Sequence, residues 1–428
     1  MNTSMAISES VFVFTLALLM LAPLAIGGVA LINTGLGRSR SAAQSMLGSI
    51  AILAVAAVLF ALIGASLTGV LGGSQVVVHI AGSPWNVLGR GPILMHGFAG
   101  VPAESQLTAL LEFFSVIFAA LIPWGSGADR LRITAGCAGA AVMAAIIFPL
   151  AAHWMWNGGW LAALGVNFQL GAGFLDPGGA ATIHALGGLS ALATIWVVGP
   201  RRGKFPQAGL STAMPGHSAV YVLFGSFLAL VGWMAWNIAG AILWMRAPLN
   251  ILPMAAVNTL LSASGALAAT FALTQLRFGK PDASLCANGW LAGLVASSAS
   301  AALTGPVAAI FIGAIAGAIT PLLVELLELA LSIDDPSGAV TVHTAAAFWG
   351  LFAAGMFSPQ HGQILAQLIG IGVLLGLFFP SIYLLFALLN RIVAFRVDPD
   401  GERLGMDLHE LGGGAYPEFV IHRDESYR

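Results

Sequence analysis

The sequence predicts an all-α polytopic membrane protein, and three observations support this fold class. Hydrophobic residues make up 58% of the chain and charged residues only 8%, with a mean hydropathy of +0.91, a composition far from that of soluble globular proteins. Apolar runs of about 18 residues or more, long enough to cross a bilayer, recur along the chain. A nine-residue motif occurs twice, which indicates an internal duplication of roughly half the chain, as in many transporter folds.

The apolar runs predict eleven transmembrane helices. We expect the first to be a retained span rather than a signal peptide, because Glu9 is the only charge before it and its apolar run is too long for a signal sequence. The predicted spans cover residues 11–34, 43–70, 107–126, 133–155, 178–199, 216–243, 251–276, 286–304, 306–330, 337–357 and 364–392. Residues 1–393 therefore form a predicted transmembrane transporter domain, and residues 394–428 form a tail.

Lysine and arginine predict the orientation. With the N-terminus outside, fourteen of the sixteen Lys and Arg residues fall in inner loops and the tail, and only Arg90 and Arg246 lie outside, as the positive-inside rule requires. The C-terminal tail is then cytoplasmic, and we expect a multi-pass protein of the cell (inner) membrane. The two motif copies begin at opposite faces, so we predict two inverted five-helix repeats, about 10–205 and 216–357. The eleventh helix, about 364–392, lies outside the duplication.

The repeated motif places one histidine in each repeat. DPGGAATIH covers residues 176–184 and DPSGAVTVH covers residues 335–343, with six of nine positions identical. Asp followed by Pro predicts an N-cap and a first helical position, which places each histidine about 12 Å along its helix, near the bilayer midplane. An ionisable side chain at that depth is costly and therefore a functional candidate. The alternative is a pair of buried histidines that only tie helices together.

Further motifs accompany the two histidines. HWMWNGGW covers residues 153–160 before the fifth span, GWMAWN covers 232–237 in the sixth, and FSVIFAA covers 114–120 in the third. Together with eleven spans and an outside N-terminus, these residues resemble the ammonium transporter (Amt/Rh) family. The likeness extends from the first span to the eleventh, and the chain looks like a divergent Amt-type member.

The resemblance implies a homotrimer with one narrow pore per subunit. Ammonium would be recruited at an outer aromatic vestibule, lose its proton and cross as ammonia through an apolar pore, with or without relay of the proton. By that pattern Trp156 is the outer aromatic residue, and Phe118 is both its partner and the outer gate. Asp176 adds negative potential at the outer side. His184 and His343 form the pore pair, and imidazoles can relay a proton because each has two distinct ring nitrogens.

Three positions depart from the family pattern. Trp236 occupies the inner gate position, where the family usually has Phe, and Gly240 stands where the recruitment site usually has a hydroxyl. The tail reads HELGGG at residues 409–414 in place of the usual His-Gly-Glu. This change argues against the PII-type signalling protein that the resemblance implies as a cytoplasmic partner. Methylammonium is a further candidate substrate.

Two other functions fit the same sequence. One is an ammonium sensor that passes little substrate, and the other is an Rh-like neutral ammonia channel, which the retention of Trp156 disfavours. An enzyme is not expected, because no nucleophile–base pair, cofactor motif or metal spacing is visible. These site residues also have plainer interpretations: Trp156 as an interfacial tryptophan, Phe118 and Trp236 as core packing, and Asp176 as an N-cap. Glu112, near the outer end of the third span, is a further acid at membrane depth, and we expect a first-turn residue at the headgroups.

Overall fold

The computed structural model describes residues 7–80, 82–206 and 211–416. Within these residues eleven long helices, labelled α1 to α11, agree with the predicted spans to within a few residues. They are Glu9–Leu36, Ser39–Thr68, Ala103–Ser126, Ile133–Met155, Ala180–Val198, Ala219–Leu243, Leu249–Phe278, Ala283–Ser300, Pro306–Ala330, Val340–Phe357 and Gln363–Asn390.

Helix α8 is the least apolar of the eleven, and the other ten are long and apolar enough to cross a membrane by themselves. From Cys286 to Ser300 every residue except Trp290 is buried. The helix packs against α6, α7, α9 and α10, so protein rather than lipid surrounds it. A helix in that position tolerates serines and asparagines because its neighbours can satisfy them.

Polar side chains join the helices of the second repeat. Asn237 of α6 donates to the Thr259 hydroxyl at 2.9 Å and to the Ser297 hydroxyl at 3.0 Å. Asn258 of α7 donates to the carbonyls of Ala301 and Thr304 at 2.8 and 2.6 Å. Hydrogen bonds of this kind hold helices together in lipid, where apolar surfaces alone give little preference for one partner.

The long outer loop between α2 and α3 contains regular structure. It forms an antiparallel hairpin of β1, Ser74–Ile80, and β2, Ser83–Arg90. The run of valines in β1 favours a strand. Trp154, at the outer end of α4, donates to the Val87 carbonyl at 2.8 Å, and His153 contacts the Asn86 side-chain oxygen at 2.9 Å. The hairpin is thereby fixed to α4, and within the described residues it is the only sheet in an otherwise helical fold.

The two motif helices do not begin at their aspartates, and the prediction of Asp as N-cap and Pro as the first helical residue was wrong. In the first copy the Gly178 amide donates to the Ser298 carbonyl of α8 at 2.8 Å, and Gly179 has a left-handed φ of +80°. These contacts hold the segment as a turn against α8, and α5 starts only at Ala180. A residue with a side chain would be strained at φ +80°.

The late helix start changes where each histidine sits. His184 lies four residues after Ala180, and His343 lies three residues after Val340, each in a wide, π-helical first turn. The rise from helix start to histidine is therefore about 6 Å or less rather than about 12 Å. The non-helical segments before α5 and α10 supply the remaining depth, so the histidines still meet inside the protein.

Buried charges organise the cytoplasmic side. Arg201 makes a two-pronged contact with Asp334, with Nη2 to Oδ1 at 2.8 Å and Nε to Oδ2 at 3.0 Å, and it also reaches Asp129 at 3.3 Å. Arg130 is fully buried and donates to the Asp334 carbonyl at 2.9 Å. Burial lowers the pKa of Arg130 to about 10, which leaves it charged at neutral pH. Two cations and two anions thus neutralise one another.

The tail folds back onto this face. The Arg132 amide donates to the Phe395 carbonyl at 3.0 Å, Arg396 pairs with Glu402 at 2.8 Å, and Asp407 accepts from the Gln44 amide at 2.7 Å. Glu410 accepts from the Gln44 side chain at 3.0 Å. The HELGGG segment, which differs from the usual family sequence, therefore takes part in docking the tail. Residues 417–428 of the predicted tail lie outside the described residues.

Candidate functional site

The histidines of the two repeats meet in the interior. The ring centroids of His184 and His343 lie 5.3 Å apart, with planes inclined by only 22°. The two residues are 1% and 4% exposed. The Nδ1 atom of each ring is buried without a hydrogen-bond partner in the described structure. Two adjacent imidazoles with unused nitrogens can accept a hydrogen bond from a small guest or pass a proton between them.

Aromatic rings enclose this pair. Phe118 of α3 lies edge-on to His184 at 5.2 Å and to His343 at 6.3 Å. Trp233 of α6 stacks on His184 at 4.7 Å, and its indole N–H donates to the Ser298 hydroxyl at 2.9 Å. Sequence reasoning named Trp233 within a motif but gave it no role. Its three-residue spacing from Trp236 places both indoles on one side of α6 and was the available signal.

The structure brings the predicted gate residues together. Phe118 and Trp236 have ring centroids 5.7 Å apart, inclined by 59° rather than stacked face to face. They are 1% and 3% exposed. Phe118 therefore contacts both Trp236 and the two histidines.

Trp156 lies farther out, and its surroundings differ from an open vestibule. Its ring stacks on Trp244 at 4.9 Å with an inclination of 16°, and Phe148 lies edge-on at 6.1 Å. Its indole N–H donates to the Asp176 carbonyl at 2.7 Å. Trp156 is 8% exposed, so one ring face is covered and the ring itself is held in place.

Comparison with known proteins bears on this arrangement. A family model described as the Ammonium Transporter Family matches residues 11–416. The chain belongs to the ammonium transporter family. Membership implies ammonium or ammonia as its substrate, a multi-pass location in a membrane and a transporter or channel rather than an enzyme.

Individual relatives support this membership. The chain is 32% identical to ammonium transporter Amt2 of Archaeoglobus fulgidus, over 93% of this chain and 86% of that protein. It resembles the solved structure of a sensor Amt protein with a TM-score of 0.84 and 25% identity, covering 93% and 97% of the two chains. It also shares the fold of Rh50 from Nitrosomonas europaea, with a TM-score of 0.67, 22% identity and coverage of 93% and 96%.

Gly240 departs from the usual ammonium transporter pattern for a steric reason. A Cβ atom built at this position would overlap the carbonyl oxygen of Pro177 and approach Gly178. The turn before α5 therefore packs directly on the backbone of α6, which leaves no room for a side chain. A hydroxyl at residue 240 is incompatible with this turn, and a backbone carbonyl occupies its place.

Asp176 turns its carboxylate towards its own helix. One oxygen accepts from the Ala181 amide at 2.9 Å, and the other accepts from the Thr182 amide at 2.9 Å and its hydroxyl at 2.8 Å. The residue is 3% exposed. Asp176 therefore caps the start of α5 from outside the helix, and any effect on a cation acts through space rather than through contact.

The motif aspartate of the second repeat has different hydrogen-bond partners. Asp335 accepts from the Ser126 hydroxyl at 2.7 Å and from the Val340 amide at 2.8 Å. Thr341, the counterpart of Thr182, has a buried hydroxyl without a hydrogen-bond partner among the described residues. The two copies are therefore similar in sequence but not interchangeable in their hydrogen bonding.

The prediction of Glu112 as a first-turn acid at the headgroups was wrong. The residue is completely buried in α3. Its Oε1 accepts from the Asn157 side chain at 2.6 Å, whereas its Oε2 has no hydrogen-bond partner in the described structure. Asn157 directly follows Trp156, so this carboxyl fixes the turn beside the outer aromatic pair. Within the described residues, no group of three His, Cys, Asp or Glu side chains could hold a metal ion.

Proposed function

We propose that this protein takes up ammonium from outside the cell through a twin-histidine pore. Ammonium is recruited at Trp156 and Phe118, under the negative potential of Asp176, and gives up its proton before it passes the gate of Phe118 and Trp236. Ammonia then passes His184 and His343 on its way inward. This is a channel-like route for nitrogen uptake.

The observation that carries the proposal is the contact between the two histidines. Equivalent residues of the two repeats meet here, as expected for substrate sites at a repeat interface, and these rings lie 5.3 Å apart with unused Nδ1 atoms. A purely structural pair would be expected to use those nitrogens in hydrogen bonds, because a buried unpaired group is costly. Ring nitrogens without partners in the interior can instead bind ammonia transiently.

Deprotonation follows from the apolar surroundings. Ammonium is a small, strongly hydrated cation, and moving it intact into an aromatic-lined interior would cost many kcal/mol of hydration. Ammonia is neutral and can exchange hydrogen bonds with the imidazoles. The released proton either stays outside, which makes transport neutral, or is relayed through the imidazoles, which makes it electrogenic.

A second candidate is an ammonium sensor that passes little substrate. Its support is the likeness to a sensor Amt protein with a TM-score of 0.84, together with the contact between the buried rings of Phe118 and Trp236. An Rh-like neutral ammonia channel is a third candidate, supported only by a shared fold. A homotrimer is proposed from family likeness, and a PII-type partner is disfavoured because Glu410 already serves tail docking.

The test is an ammonium pulse on proteoliposomes, with recording of both current and internal pH, for the wild type and for His184→Ala. A saturable current that changes in the variant supports electrogenic transport through the pair. Internal alkalinisation without current supports the neutral channel. Absence of both signals, with ammonium binding intact, contradicts transport and favours the sensor.

A matched pair of variants makes the test specific. His184→Ala removes a ring of the pair, and His217→Ala removes a half-buried histidine that contacts the Gly37 carbonyl and the Tyr416 hydroxyl on the cytoplasmic side. The proposal expects the first to alter transport and the second to leave the pore step intact. Equal effects of the two variants would contradict a pore role for His184.

A further inference from the structure

Trp244 is not among the residues predicted from the sequence, yet it covers the ring that we propose as the outer recruitment residue. Its indole lies nearly parallel to that of Trp156, with centroids 4.9 Å apart. An ammonium ion needs the open face of an aromatic ring to bind by cation–π attraction. Two rings at this separation leave no room for a cation between them.

Trp156 cannot uncover itself by moving. Its N–H is bonded to the Asp176 carbonyl at 2.7 Å, and Phe148 makes a T-shaped contact with its ring. The Asp176 segment is itself fixed by the cap on α5. The covered face of Trp156 can therefore be exposed only by movement of the Trp244 ring.

The side chain of Trp244, in contrast, is free to rotate. It is half-buried at the outer end of α6, and its indole N–H is buried without a hydrogen-bond acceptor in the described structure. A buried donor without a partner opposes the closed position, whereas stacking favours it. The backbone amide of Trp244 remains bonded to the Gly240 carbonyl at 2.9 Å, so rotation of the side chain suffices and the helix end need not unfold.

We propose that Trp244 is an aromatic lid that competes with ammonium for the face of Trp156. This inference rests on the proposed role of Trp156. Ammonium, or a small alkylammonium ion, binds only after the Trp244 indole has rotated away. The apparent affinity is then lower than the intrinsic affinity by the fraction of molecules whose lid is open.

The test compares Trp244→Ala, Trp156→Ala and the double variant in proteoliposomes, with the initial ammonium-driven signal measured against ammonium concentration. Trp160→Ala is the matched control, since Trp160 is an outer-side indole paired with Trp85 at 4.7 Å. We expect Trp244→Ala to lower the half-saturating concentration by about 3- to 10-fold, for an open fraction of about a third to a tenth. The control should leave it unchanged.

The double variant separates this inference from the proposed function. In a Trp156→Ala background, loss of Trp244 should have no further effect, because the lid acts only through Trp156. If Trp156→Ala had the same half-saturating ammonium concentration as the wild type, recruitment at Trp156 itself would be contradicted. If Trp156→Ala weakens ammonium recruitment but Trp244→Ala has no effect, the lid alone is wrong. A raised half-saturation in Trp244→Ala would make Trp244 a wall of the cation site and would also overturn the lid.

Two provisions keep the test decisive. If Trp244→Ala does not fold, Trp244→Phe keeps an apolar ring with less stacking area and should shift half-saturation in the same direction by a smaller factor. If the protein passes no substrate, the same variants are compared by the ammonium concentration that half-saturates the change in tryptophan fluorescence in detergent. The same order of values is expected, and an unchanged value in Trp244→Phe overturns the lid.

Discussion

The imidazole of His184 stacks on the indole of Trp233, with centroids 4.7 Å apart and planes inclined by 16°. The Ser298 hydroxyl accepts from that indole at 2.9 Å, so the orientation of the ring is set by α8. One face of His184 is thereby occupied by a rigid surface, and the other is directed towards His343. The histidine pair is positioned by a residue from a third helix.

Trp233→Phe tests this positioning. Phenylalanine keeps an apolar ring but cannot donate to Ser298, so we expect the His184 ring to lose a defined orientation and the maximal transport rate to fall by about 10-fold, with half-saturation little changed. Concentration dependence in proteoliposomes measures both quantities. Trp290→Phe, which removes a second tryptophan hydrogen bond between α8 and α6, to the Ser226 carbonyl, is the control. An altered half-saturation with an unchanged maximal rate would contradict the positioning role.

Gly240→Ser tests the steric explanation for the missing hydroxyl. The new Cβ would overlap the Pro177 carbonyl, so we expect a destabilisation of about 1–3 kcal/mol rather than stronger ammonium recruitment. Thermal unfolding in detergent measures the loss. Gly376→Ser is the control, because a Cβ there meets nothing within 4 Å. Equal melting temperatures for the two variants would show that the turn before α5 can move away.

Asp176→Asn tests the cap and its charge together. Three donors converge on this carboxylate, and an amide would direct its own N–H₂ at one of them. We expect lower transport and a stability loss of about 1–3 kcal/mol. Asp335→Asn is the matched variant, since its carboxylate caps α10 at the inner side. Equal loss of stability with loss of transport only at residue 176 would assign the charge effect to the outer side.

Asp334→Asn tests the cytoplasmic charge network. Removal of this charge leaves Arg201 and Arg130 buried with less compensation, and breaking such a pair costs about 3–5 kcal/mol. Although burial opposes ionisation, the hydrogen bond from Arg201 and the charges of both arginines hold the pKa of Asp334 below its usual value. A depressed folded-state pKa gives stability that is present above the unfolded pKa and lost as pH falls through the folded one.

The depressed pKa of Asp334 predicts how the free energy of unfolding depends on pH. Wild-type protein should lose part of its unfolding free energy below about pH 4, the range of an ordinary aspartate, and Asp334→Asn should lose less over the same range. Unfolding curves at several pH values measure the difference. Parallel curves for the two proteins would contradict the contribution of Asp334.

Glu112 offers a comparison of two substitutions. Glu112→Gln keeps the volume and the acceptor for Asn157, so we expect little change in stability. Glu112→Ala leaves a cavity and an unpaired Asn157 donor, for which we expect a loss of about 2–4 kcal/mol. Thermal unfolding distinguishes them. A large loss in the glutamine variant would show that the negative charge itself is required.

The sequence predicted the helices well because each long apolar run has few alternatives in a bilayer. It also predicted the pairing of His184 with His343, because inverted duplication fixes relative depth without knowledge of contacts. It could not predict that α5 starts at Ala180, since the Gly178 bond to Ser298 is a tertiary contact that overrides local capping preference. Trp244 and Glu112 were missed for the same reason: their importance lies in which side chains they meet.

The cytoplasmic charge network has a consequence for how the chain is made. Arg201 and its partner Asp334 are separated by 133 residues, and the Arg202 amide is bonded to Glu402, 200 residues later. Because synthesis proceeds from the N-terminus, the first repeat is made while Arg201 has only Asp129 as a carboxylate partner and before Asp334 and Glu402 exist. A chain that ended before Asp334 would have two arginines, Arg130 and Arg201, sharing one carboxylate of this network, which distinguishes an unfinished protein from a complete one before any substrate is encountered.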